Sequence, residues 1–149
     1  MKSTIARNIL ISLLGFLSIG ALGGGIVLIL SPTGELIKMP LSMIGGSPFT
    51  SFLIPGIILF LVLGVAPAFL IYALLKKPGW KYAGILNFFP DMHWAWSYSI
   101  YIAFGLIIWI QVEMIYLQAV HFLHTFYMFY AVAILFFALL PSIRDAYKK

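Results

Sequence analysis

Cysteine is absent from the 149 residues, which excludes disulfides, thiolate zinc sites, iron–sulfur clusters and cysteine nucleophiles. Charge is scarce as well: Asp and Glu together number 4, and charged residues make up 9% of the chain against a usual ~25%. A water-solvated surface needs more than that, so a soluble globular domain is excluded. Phosphate loops, EF-hand loops, dinucleotide fingerprints and a nucleophile elbow are also missing, and no catalytic residue is assigned. What is present is apolar: 63% of residues are hydrophobic and 17% aromatic, and the mean hydropathy is +1.08. This composition belongs to a chain whose main solvent is lipid.

The apolar run from Ile9 to Leu30 is interrupted only by Ser and Gly, and in helical form it covers the ~30 Å hydrocarbon core. Met1–Asn8 followed by this run also has the outline of a signal peptide with small residues at Gly20–Gly25, but Ile26–Leu30 prolongs it to full spanning length. Phe52 to Leu75 carries no charge and includes Pro55 and Pro67; a kink is expected near Pro67. From Trp94 to Leu140 the chain is apolar for long enough to cross twice. Gln111, Glu113, Gln118, His121 and His124 cluster near its midpoint, which predicts spans at Trp96–Tyr116 and Val120–Leu140 joined by a hairpin. The expectation is one all-α transmembrane domain over residues 1–149, a four-helix bundle with helices at about 9–30, 52–75, 96–116 and 120–140.

Four alternating spans put Lys2, Arg7, Lys76, Lys77, Lys81, Arg144, Lys148 and Lys149 on one side and leave only Lys38 on the other. By the positive-inside rule both termini are expected in the cytoplasm, the protein being multi-pass in the plasma (inner) membrane. The pI near 9.6 follows from the same asymmetry. Anionic lipid headgroups, and not nucleic acid, are the expected counter-charge.

Small residues recur at Gly20-xxx-Gly24 and Gly64-xxx-Ala68, a spacing that lets helix backbones approach. Packing within one chain is the expected use, with an oligomer contact through Gly20 and Gly24 as the alternative. The segment Ser31–Ser51 mixes turn formers with Leu36, Ile37, Met39, Leu41, Met43 and Ile44, so it is expected to fold over the extracytoplasmic mouth of the bundle. Between Lys76 and His93 lie Trp80, Tyr82, Phe88 and Phe89, continued by Trp94 and Trp96; these predict an aromatic belt at the inner boundary.

Glu113 is the only acid inside an expected span, and a carboxylate there must face protein or water. Helical geometry places it on one face with Leu106, Trp109, Ile110 and Tyr116, while Gln111 and Gln118 form a separate stripe. His121 and His124 are one turn apart, so Glu113, His121 and His124 are expected to converge at the outer mouth. Those five polar residues are the candidate ligand or proton sites. Glu113, His121 and His124 also have the right types for a zinc or iron site. Paired histidine haem ligation is not expected, because His93 lies at the other end, and the cofactor is unknown from the sequence.

The strings Ser47-Pro48-Phe49, Phe52-Leu53-Ile54-Pro55-Gly56, Trp109-Ile110 followed by Glu113, and Pro141-Ser142-Ile143-Arg144 resemble those of small uncharacterised bacterial four-helix integral membrane proteins. The resemblance runs from about Leu41 to Arg144. It implies the architecture and transfers no activity. The function expected from the residues is a non-enzymatic module that binds a lipid-like ligand or a membrane-protein partner. The alternatives are a small proton-coupled transporter centred on Glu113 and a metal-dependent enzyme at the outer mouth.

Overall fold

Hydrocarbon offers no hydrogen-bond partner to backbone N–H and C=O groups, so a spanning chain must satisfy them internally. The computed structural model, which describes residues 1–149, does so with helices throughout. Helices α1 (Ser3–Leu30), α2 (Leu53–Lys76), α3 (Trp94–Leu117) and α4 (Phe122–Leu139) are each long and apolar enough to cross a membrane. A short α5 (Pro141–Ala146) follows. Helix α1 starts at Ser3, ahead of the apolar run at Ile9, because Ala6 and Leu10 are already fully buried against the bundle.

The helices form a ring in which α1 packs on α2, α2 on α3, α3 on α4 and α4 back on α1. Leu10, Leu14, Leu70, Leu74, Leu106 and Ile134 fill its centre. The outer faces stay apolar: Phe16 and Phe129 are each 72% exposed. An exposed apolar girdle of this kind fits lipid and not water.

Helices α1 and α2 meet most closely where glycine removes the side chain. A methyl group on Gly25 would lie 2.7 Å from Phe60 Cβ and 2.9 Å from its Cα, and one on Gly56 would lie 2.7 Å from Leu28 Cβ. The close approach therefore uses Gly25, Gly56 and Gly64, and not the expected Gly20/Gly24 and Gly64/Ala68 pairs. Ala68 is exposed, Gly20 faces the Tyr127 hydroxyl and Gly24 faces Leu59. The period of the sequence is right, but helix rotation selects the neighbouring glycine.

Where a proline kink is expected, α2 widens. Pro67 has no N–H, so the carbonyl one turn earlier loses its partner. The chain adopts a π-helical stretch over Leu59–Val65, in which Ala66 N–H bonds five residues back to the Leu61 carbonyl. The Ser18 hydroxyl of α1 donates to the Gly64 carbonyl at 2.7 Å. Such π turns frequently mark functional places.

The chain ends and the α2–α3 connection are sewn together. The Tyr147 hydroxyl donates to the Leu74 carbonyl, His93 N–H donates to the Tyr147 carbonyl at 2.8 Å, and Lys149 N–H to the Asp91 carbonyl at 2.9 Å. Lys77 Nζ donates to the Ala146 carbonyl at 2.6 Å and lies 4.7 Å from the centre of the Tyr147 ring. The expected aromatic belt divides here. Tyr82 and Phe88 are exposed, but Trp94 and Trp96 are buried. Their indoles donate inward to the Pro78 carbonyl at 3.0 Å and the Ala138 carbonyl at 2.8 Å. Ala138 needs that donor because α4 ends at Leu139 and Pro141 starts the next helix.

His93 caps α3, its Nδ1 accepting Ala95 N–H at 3.2 Å. Burial holds its pKa below the ordinary 6.5, against the raising effect of the Pro78 carbonyl. A depressed histidine contributes stability that is complete above the unfolded value and is lost as pH falls through the folded one. Thermal unfolding in detergent is therefore expected to show a midpoint that drops below about pH 6.5. His93→Asn, which still caps but cannot titrate, is expected to shrink that drop; an unchanged profile would remove His93 as its source.

The α3–α4 hairpin contains neither Gly nor Pro. Gln118 ends α3 in the left-handed conformation at φ 50°, a position more often given to Gly or Asn, and α4 begins at Phe122 rather than Val120.

Candidate functional site

The Ser31–Ser51 segment is pinned at its base by Phe52 N–H donating to the Pro32 carbonyl at 2.8 Å. Gly34, at φ 80°, holds its first turn, its carbonyl accepting from Met39 N–H at 3.0 Å. Two short 3-10 turns, Glu35–Ile37 and Leu41–Ile44, then bring Met39 and Met43 over the mouth of the bundle, with Ile44 and Phe52 buried beneath.

Below this cover lie two adjoining chambers of about 390 Å³ and 480 Å³, within the ~300–1,000 Å³ of small-molecule sites. Met39, Leu59, Trp109, Glu113, Leu117 and Leu123 line both, so Glu113 stands on the partition. The space exists because α1 presents a wall with little side chain. Gly20 borders the first chamber, Gly23 and Gly24 border the second, and a methyl group on Gly23 would touch nothing within 4 Å. The π stretch of α2 contributes Leu59 and Leu63 to the same walls.

The structure brings Glu113 and His124 together, with Glu113 Oε2 3.6 Å from His124 Nε2. His124 is buried although His121 beside it is exposed. Its orientation is set locally, because His124 Nδ1 accepts the His121 backbone N–H at 3.1 Å. A neutral imidazole that accepts at Nδ1 carries its hydrogen at Nε2, the nitrogen facing Glu113. Trp109 and Glu113, one turn apart on α3, share the wall as the helical spacing predicts, and Tyr116 borders the second chamber.

Of the other expected polar residues, His121 lines the first chamber, and its ring centre is 5.7 Å from that of His124. Glu113, His121 and His124 do not gather into a group of three that could hold a metal ion. Gln111 and Gln118 are exposed and border neither chamber. Tyr127 and Gly23 also line the site, and Met39 and Met43 reach it from the covering segment. The run Gly23-Gly24-Gly25 carries the sequence signal for this space: three consecutive glycines remove side-chain volume from one end of a spanning helix.

Comparison with known protein families, with curated proteins and with solved structures gives no match.

Proposed function

We propose that this protein is a non-enzymatic membrane module that binds a lipid-like amphiphile in the chambers beneath the Ser31–Ser51 segment. The observation that carries this reading is the pair of adjoining apolar cavities with a single carboxylate on their partition. Apolar walls offer the chain of an amphiphile a surface it would otherwise find in lipid, and the few polar groups that converge on the partition fix its head. The distribution of eight basic residues against Lys38 supports termini in the cytoplasm of a plasma membrane, with the chambers toward the opposite face.

The test fills the space without disturbing the fold. Gly23→Leu places its side chain in a region with nothing within 4 Å of the new Cβ and replaces a poor helix former, so stability is expected to hold or rise by up to about 1 kcal/mol. Native mass spectrometry of protein released from mild detergent is expected to show an amphiphile retained by the parent chain and lost from Gly23→Leu. A parent chain that carries nothing, or a variant that retains the same mass in full, rejects the reading.

A further inference from the structure

The lining of the chambers holds one acidic group and no fixed cation. Glu113 supplies a carboxylate, whereas no Lys or Arg borders either cavity. Lys38, the one basic residue in the covering segment, is exposed and lines neither space. The other eight basic residues belong to the far end of α2, the α2–α3 connection and the two termini, where Lys77 is bonded to Ala146 beside Tyr147. An anionic head entering the chambers would meet a like charge and no cation, and an unpaired buried charge is costly.

The surroundings of the carboxylate favour the opposite sign. Its separation of 3.6 Å from His124 Nε2 is wider than the ~2.7–2.9 Å of a charge-assisted hydrogen bond, so a stronger donor can compete for it. Trp109 borders both chambers, Tyr127 the first and Tyr116 the second. Such rings offer faces that attract a cation and apolar surface that packs against the methylenes next to it. We infer that the chambers select lipophilic amines, the ammonium head pairing with Glu113 and the hydrocarbon chain lying along the glycine wall of α1. This rests on the chambers being a ligand site, and it adds the head-group class.

The probes are decylamine, decanoic acid and decanol, offered in equal amounts to the purified full chain in mild detergent and read by native mass spectrometry. The amine is expected to be retained about tenfold over both the acid and the alcohol, as a close charge pair allows. Glu113→Gln is expected to bring amine retention down to that of the alcohol. Retention of the alcohol itself should not change in this variant, which also shows that its chamber is folded. Gly23→Leu should lose all three. Equal retention of amine and acid by the parent chain, or an amine preference that survives Glu113→Gln, overturns the head-group inference while leaving the chamber reading in place. An amine preference that survives Gly23→Leu puts the amine elsewhere and overturns it too. If none of the three probes is retained, the chamber reading falls and the inference falls with it.

Discussion

Tyr147→Ala is expected to lower the free energy of unfolding by about 3–5 kcal/mol, and Tyr147→Phe by about 1 kcal/mol. The reason lies in Pro78. The Leu74 carbonyl would ordinarily accept the N–H four residues on, but residue 78 is proline and has none. The Tyr147 hydroxyl takes that place, and the ring behind it is 1% exposed. Removing the hydroxyl alone leaves one carbonyl short of a partner. Removing the ring opens a cavity and frees the tail that also accepts His93 N–H. Burial pushes the tyrosine above its ordinary pKa of 10.0, so the hydroxyl stays a donor across the working range of pH. Denaturant titration in detergent measures both variants, and hydrogen exchange at the His93 amide reports the tail locally. A Tyr147→Ala chain as stable as the parent would mean that the tail does not dock.

Gly25→Val carries the second large effect, an expected loss of about 3 kcal/mol. The new Cβ would stand 2.9 Å from the Phe60 Cα and amide nitrogen. Those are backbone atoms, and a helix backbone cannot swing aside as a side-chain tip can. The α1–α2 pair must separate, forfeiting dispersion contacts that lipid does not replace by any hydrophobic drive. Gly23→Ala is the control, since its methyl meets nothing and the better helix propensity of alanine is expected to be neutral or stabilising. The two positions differ by two residues and are expected to differ in sign. Equal effects of Gly25→Val and Gly23→Ala on the unfolding midpoint would show that helix propensity, and not close approach, governs both.

The contrast between Gly25 and Gly23 also marks how far the sequence could be read. Glycine spacing announces that helices approach, but which glycine touches depends on the rotation of α1 about its axis, and no residue of α1 records that rotation by itself. The same holds for the tryptophans of α3. Their place next to a basic connection predicts an interfacial belt, yet Trp96 turns inward because α4 leaves the Ala138 carbonyl without a partner forty-odd residues away in sequence. At the site, helical spacing put Trp109 on one face with Glu113, and the proximity of the hairpin put His124 near them. The volume of the chambers was illegible, because it is set jointly by missing side chains on α1, a widened turn on α2 and a covering segment from between them.

Four long apolar runs, cations gathered at the chain ends and in one connection, and a single acid within the spans were decided by the sequence alone. Helix formation in hydrocarbon and the cost of moving charge across it are local requirements that each segment meets on its own. Pairing Glu113 with His124, leaving Gln111 and Gln118 outside, turning Gly23 toward empty space and tying Tyr147 to Leu74 were decided only in three dimensions. Each of those depends on which faces of separate helices meet, and that is fixed by packing around the whole ring.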